Sequence, residues 1–398
     1  MKAVELFAGA GGLAMGVAGA GFKTVAAVEW NRYCCDTIRE NQNRGLRPLT
    51  RWPLLEKDVR TMNFRGLKSG VEFVSGGPPC QPFSLGGRHR GRDDHRDMFP
   101  QAVRAIRELR PRAFLFENVK GLTRRAFGNY FESIRLQLTH PDLTRKTDET
   151  WASHLARLQA HHTRGGRGNP DYRVVTQVLN AADFGVPQRR ERVFFVGVRA
   201  DLKVQWSFPR PTHSSAALLW DQAQTGDYWE RHAIARAERA VLDKPRGRHK
   251  VPLEKPTTFP WRTVRDAIAD LPDPQQEPEA AALYANHCFQ TGARAYAGHT
   301  GSCLDEPAKT LKAGVHGVPG GENMLLRPDG SVRYFTVRES ARLQTFPDSF
   351  VFHGSWSETM RQLGNAVPVT LARLLARDIR QALTSSFLSP LRCCSGQA

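Results

Sequence analysis

Cysteine is scarce. Among 398 residues there are seven: Cys34, Cys35, Cys80, Cys288, Cys303, Cys393 and Cys394. The number is odd, two pairs are adjacent and no CxxC spacing occurs, which excludes a disulfide framework and a cysteine zinc site. A reducing, cytoplasmic setting is therefore expected, with no metal. Long apolar runs are missing too. No stretch approaches the roughly 18 residues that a membrane helix needs, so no membrane partner is expected. The N-terminal MKAVELFAGAGG carries one lysine and a short apolar patch, too little for a secretory signal. No internal repeat is present. Acid is in deficit: 39 acidic residues face 57 basic ones, a net charge of +18. A balance this basic points to a polyanionic partner, and nucleic acid is the most plausible one.

Short apolar runs rich in β-branched residues are plentiful. AVELF (3–7), TVAAVEW (24–30), VEFVSGG (71–77), AFLFENV (113–119), YRVVTQVL (172–179) and RVFFVGV (192–198) read as strands, the last two as a pair near the end of a sheet. Helical patterns such as MFPQAVRAIREL (98–109) lie between several of them. That alternation predicts an α/β fold built on a parallel sheet. Residues 137–171, rich in His, Thr, Arg and Gly, break the rhythm and read as an inserted loop or helix at the sheet's edge. His161 and His162 within them offer the one alternative thought of a metal site. After about residue 206 proline and glycine rise and periodicity weakens until about 330, which reads as a second, loop-rich domain. Helical spacing returns in TVRESARLQTF (336–346) and VPVTLARLLARDIRQAL (367–383). The tail from 386 to 398 is expected to be disordered.

Two stretches carry chemistry. FAGAGGLAMG (7–16) follows the first strand, and its glycines let a backbone approach a ligand at a helix N-terminus that favours negative charge. Gly9, Gly11 and Ala14 satisfy the dinucleotide spacing, and Glu29 ends the second strand where a carboxylate grips ribose hydroxyls. NAD and S-adenosylmethionine both meet these terms, and the loop alone leaves the two open. The second stretch is GGPPCQPFS (76–84). Proline fixes φ and pushes the preceding residue out of the helical region. Cys80 is therefore held in a rigid extended loop, which suits an aimed nucleophile and equally a tight turn with a buried thiol.

Taken together, the glycine loop, Glu29, Asp58 in LLEKDVR, the PPC of Cys80, ENV (117–119), QRRERVFFVG (188–197), RESARLQTFP (338–347) and QLGNAVPVTLARLLA (362–376) strongly resemble the DNA cytosine-5 methyltransferases of bacterial restriction-modification systems. The match covers roughly residues 1–200 and 334–380. The resemblance implies a Rossmann-like S-adenosylmethionine-dependent methyltransferase sheet. A catalytic and cofactor-binding domain would span 1–205, a smaller loop-rich target-recognition domain 206–330, and a segment returning to the catalytic domain 331–385. It makes Cys80 the nucleophile that adds to carbon 6 of a cytosine, and Glu117 the group that protonates or hydrogen-bonds ring nitrogen 3. A carboxyl in the apolar AFLFE strand should have a raised pKa. Arg190 and Arg192, two apart on a strand, would share a side and face the target base and phosphate, with Arg192 the better match. Phe7, Ala8, Gly9, Gly11 and Gly12 would form the cofactor loop. Glu29 and Trp30 would contact ribose and adenine, Asp58 and Val59 the adenine, Pro78 would wall the pocket, and Asn365 would close it. No metal is implied.

The partner so implied is double-stranded DNA, with the target base flipped out of the stack. The glycine-rich, charged LGGRHRGRDDHRD (85–97) would close over DNA with its arginines on phosphates. HTGSCLDEPAKTLKAGVHGVPGG (299–321) would sit in a groove, where Arg or Lys reads guanine edges. WRTVRDAIADLP (261–272) would pack as scaffold. The enzyme is expected to be a monomer associated with the nucleoid, with a cognate endonuclease encoded nearby. A tRNA cytosine-5 methyltransferase would use the same catalytic set. An NAD oxidoreductase would leave PPC, ENV and QRRER unexplained, and an inactive DNA-binding relative would not need Cys80 and Glu117.

Overall fold

The computed structural model describes residues 1–67, 70–79, 97–164, 170–236, 239, 251–296, 300–313 and 323–385. Strand β1 (Lys2–Leu6) leads through the glycine turn into α1 (Gly12–Gly19). Next come β2 (Lys23–Glu29), α2 (Arg32–Asn43), β3 (Leu54–Glu56), β4 (Val71–Gly76), α3 (Phe99–Leu109) and β5 (Ala113–Val119). Then follow α4 (Gly128–Thr139), α5 (Trp151–Thr163), β6 (Tyr172–Asn180) and β7 (Glu191–Arg199). The seven strands form one sheet in the order β3-β2-β1-β4-β5-β7-β6. Neighbours from β3 to β5 are parallel, while β7 runs antiparallel to both β5 and β6. The expected parallel sheet thus ends in an antiparallel hairpin, because the turn between β6 and β7 is too short for the crossover that parallel pairing needs. β3 was not anticipated; three residues carry no period of their own.

The period of two decides which way each strand looks. On β5, Phe114 and Phe116 pack with Phe99, Ala102 and Ile106 of α3 and Ile134 of α4. Ala113 and Leu115 face the other layer, where α1 supplies Leu13 and Val17 and the C-terminal helix Val369–Ser385 supplies Leu371, Leu375 and Ile379. Glu117 continues the second face. α1 and the C-terminal helix touch backbone to backbone: a Cβ on Gly16 would lie 2.4 Å from Ala372 Cβ and 2.6 Å from Arg373 N. The C-terminal helix therefore packs on the same face of the sheet as α1.

Within 137–171 the described residues hold the end of α4 and all of α5. α5 docks Leu155 and Leu158 against Leu136 of α4. His140 Nε2 sits 3.0 Å from His162 Nδ1, yet no group of three or more His, Cys, Asp or Glu among the described residues could hold a metal ion. Within 206–330, Leu218, Tyr228 and Trp229 make a small core of their own. Val264, Ile268, Ala308 and Leu311 instead join the core that holds Ala8, Met15 and Phe346. Strand Met324–Leu326 pairs with Val332–Tyr334, so the expected boundary at 330 falls inside a hairpin. No described helix is long and apolar enough to cross a membrane.

Candidate active site

The carboxyl ends of β1, β2, β4 and β5 open onto one cavity of about 660 Å³, the usual place for a ligand on an open α/β sheet. The chain leaves β1 through Phe7 at φ 55° and Gly9 at φ 54° and caps α1 with Gly11 at φ 90°. This tight turn brings the amide of Gly9 to Glu29 Oε2 at 2.7 Å, while Glu29 Oε1 accepts from Trp30 N at 2.9 Å and Asn31 N at 2.8 Å. Burial pushes the Glu29 carboxyl above its usual range, and these three amides pull it back. The Trp30 indole is 69% exposed on the rim. Asp58 grips Arg60 with a fork, Nε–Oδ1 at 3.0 Å and Nη2–Oδ2 at 2.5 Å, and that guanidinium holds its carboxyl below the usual range. Val59 is buried beside it, and Gly364, Asn365, Ala366 and Val367 form the facing wall. Gly12 lets that wall close, since a Cβ there would lie 2.6 Å from Val367 O.

At the other end of the cavity Pro78 and Pro79 line the wall with Glu117, Asn118, Arg190 and Arg192. Both proline carbonyls are tied: Asn118 Nδ2 donates to Pro78 O at 2.9 Å and Met98 N to Pro79 O at 3.0 Å. The loop is thereby pinned to the end of β5 and the start of α3. Cys80 and the closing segment that follows it lie outside the described residues. Glu117 is buried, and Arg192 Nε stands 3.0 Å from its Oε1. Burial raises the Glu117 pKa, against the pull of Arg192 and then Arg190. Arg190 has a different setting. It is 1% exposed and donates to Gly364 O at 2.8 Å and Leu311 O at 3.4 Å, clamping the catalytic sheet to two later segments.

A model of the C-5 cytosine-specific DNA methylases matches residues 1–142 and 168–381. The chain belongs to that family. As a family member it is a DNA methyltransferase acting on carbon 5 of cytosine. It is 32% identical over 389 residues to the type II methyltransferase M.PspPI of Psychrobacter sp., covering 96% of this chain and 80% of that protein. It is 29% identical to M.NgoMIV of Neisseria gonorrhoeae, covering 96% and 97%. The fold is that of a prophage-encoded E. coli protein described as a DNA modification methyltransferase, with a TM-score of 0.59 at 22% identity over 96% of this chain and 99% of that one. Residues 143–167, which hold α5, fall between the two matched segments.

A methylase of this family uses S-adenosylmethionine, and the cavity fits it. It offers an amide-held carboxylate, an exposed indole and a helix N-terminus around a space of about 660 Å³. Of the residues expected at the cofactor, Phe7, Ala8, Gly9, Gly12, Glu29, Trp30, Asp58, Val59, Pro78 and Asn365 line this cavity. Gly11 does not line it; a Cβ there would meet the Trp52 ring at 3.1 Å. Sequence reading passed over Glu5, Met98 and Arg361, which also line it. For Glu5 a signal existed: a carboxyl midway along an apolar strand, two residues before the glycine turn.

Proposed function

We propose that this methylase modifies one cytosine of a specific duplex sequence through a covalent adduct on Cys80. The observation that supports it is the double anchoring of Pro78 and Pro79 beside Glu117, which delivers the chain to residue 80 from the wall of the shared cavity. A cytosine stacked in duplex DNA must first be flipped out, at a cost of about a few kcal/mol. The Cys80 thiolate adds to carbon 6 while Glu117 supplies a proton or hydrogen bond to nitrogen 3, so carbon 5 becomes an enamine carbon. When bound, the cofactor supplies an electrophilic methyl group for that carbon. Loss of the proton on carbon 5 then expels the thiolate and restores the aromatic ring. Arg192 orients Glu117 and faces the base; Arg190 braces the wall behind it.

In this reading Glu29 holds the ribose, Trp30 stacks on adenine, Asp58 and Val59 meet the adenine edge, and Asn365 closes the pocket. Phe7, Ala8, Gly9, Gly11 and Gly12 shape the turn beneath. Residues 206–330 choose the DNA site. The relatives' names support a place in a restriction-modification system, with the enzyme a cytoplasmic monomer at the nucleoid and an endonuclease encoded nearby. The test puts fluorine at carbon 5 of the target cytosine. Elimination is then blocked, and wild-type protein with S-adenosylmethionine should be trapped on DNA as a species that survives denaturing electrophoresis. Cys80→Ser should form none, while Cys34→Ser and Cys35→Ser should still trap. A peptide label on any cysteine other than Cys80 overturns the assignment.

A further inference from the structure

Glu5 is a buried acid that no step above uses. It lies on β1 at 2% exposure and lines the cofactor cavity. Ser75 Oγ, its register partner on β4, donates to one carboxyl oxygen. No other hydrogen bond and no ion pair reaches Glu5 among the described residues, and no backbone amide donates to it there. Its surroundings explain this. α1, which covers it, is GLAMGVAG and carries no titratable side chain. On β2 the nearest charge is Glu29, itself held by three amides, and Lys23 lies at the far end of the strand. On β4 the only charge, Glu72, also lies at the far end, beside Lys2 N. The C-terminal helix keeps its charges away: Arg373 lies by Gly19, Arg380 by Gly21, and Asp378 takes Trp206. Arg377 of that helix forms no ion pair with Glu5. Across the cavity, Arg192 is paired with Glu117, Arg60 with Asp58 and Arg361 with Glu358. Arg190 is spent on carbonyls, and Lys57 and Cys34 line the cavity without pairing with Glu5.

A buried carboxyl without a counter-cation keeps its proton. Burial lifts Glu5 to about 8, and the Ser75 bond only partly offsets this. The cavity is the place where a cation arrives. This inference rests on S-adenosylmethionine as the ligand. The α1 N-terminus suits the carboxylate of its amino-acid end, which leaves the ammonium on the same methionine for the acid at the end of β1. We propose that Glu5 is neutral in the cofactor-free enzyme and releases its proton to solvent when the ammonium group enters beside it, so that cofactor binding is coupled to loss of one proton. The balance is simple: carboxylic acid plus ammonium gives a carboxylate–ammonium pair and one hydrated proton. Glu5 is thereby a positioning residue for the amino-acid end.

Calorimetric titration of S-adenosylmethionine into the full chain at pH 7, in two buffers of different ionisation enthalpy, counts that proton. Wild type should release about 0.9 of a proton more than Glu5→Gln, the fraction of a group titrating near 8 that is protonated at pH 7. Between pH 6.5 and 7.5 the wild-type Kd should fall about eightfold, and that of Glu5→Gln by less than about twofold. Ser75→Ala provides a second handle. Removing the bond that lowers the Glu5 pKa should increase the proton count at pH 8 above that of wild type. Equal proton counts in wild type, Glu5→Gln and Ser75→Ala, with binding intact, overturn this proposal and leave the cofactor reading standing. Absence of any binding heat or melting shift in wild type overturns both.

Discussion

Two carboxyls at the ends of strands in one sheet show how one residue type is set to different tasks. Burial raises the pKa of Glu29 too, but three amides pull it back by holding the carboxylate, an arrangement that can accept from hydroxyls. Glu117 is buried with Arg192 beside it and Arg190 next, and burial outweighs the pull of both, so its pKa rises. An acid that works protonated is fully competent below its pKa and fails as pH rises through it. The alkaline limb of turnover should therefore report Glu117. Glu117→Gln should cost about 100-fold or more in kcat, a typical loss for a general acid, and should abolish that alkaline limb. The melting shift with S-adenosylmethionine should survive. Arg192→Ala removes the group that most lowers the Glu117 pKa, so the limb should move to higher pH; a limb unmoved by either change assigns it to another residue. Glu29→Ala, by contrast, should weaken the cofactor melting shift without moving the limb. The sequence showed that Arg190 and Arg192 lie two apart, and it could not show what each meets. The Arg190 partners are carbonyls 121 and 174 positions away, a pairing no local spacing encodes.

At the scale of elements, most of the sheet was legible because buried strands write continuous apolar runs. AFLFENV and β5 coincide residue for residue, and α3 begins one position inside MFPQAVRAIREL. Strand order was not legible. β7 inserts between β5 and β6 because its Phe194 and Val196 fit the layer of α1 and the C-terminal helix, a tertiary choice. The stretch 261–272, expected to pack as scaffold, holds a helix only at Val264–Ile268, started by a reciprocal Thr263–Asp266 capping box. The glycines of α1 suggest a ligand when read in sequence, and the structure gives two of them a second task. Gly12 and Gly16 face the C-terminal segment with no room for a methyl group. Gly16→Ala must push α1 away from Ala372 and the Arg373 backbone, an overpacking cost of about 1–3 kcal/mol that outweighs any gain in helix propensity. A thermal melt should show a lower Tm, and because Gly12 and the Val367 wall share this contact, cofactor affinity should fall as well. An unchanged Tm would mean that the helix pair has slack.

For the whole molecule, the question is how the region proposed to choose the DNA sequence is joined to the sheet that carries the cavity. The net charge of +18 supplies affinity for any duplex, so specificity has to come from shape and base contacts held in register with the cavity. The join is visible at 308–311. Ala308 exchanges backbone bonds with Pro187 and Arg189, Leu311 N donates to Gln188 Oε1 at 3.1 Å, and Thr310 Oγ1 donates to Arg189 O at 2.6 Å. The same stretch takes the Arg190 guanidinium through Leu311 O. Farther in, Val264 and Ile268 belong to the core of Ala8 and Met15, whereas Leu218, Tyr228 and Trp229 form a cluster apart. A composition shift at 206 could mark where regular periodicity stops, but it could not reveal that two stretches inside 206–330 are scaffold. This division predicts the result of exchanging the region with that of a relative. A graft of all of 206–330 replaces 264–268 and 308–311, breaks the fit around Arg190 and should lose most activity. A graft that keeps those two stretches and exchanges the rest should stay active and methylate the donor's cytosines, read by bisulfite sequencing of DNA from the expressing host. Retention of the recipient's specificity by that second graft would place sequence choice outside the exchanged residues.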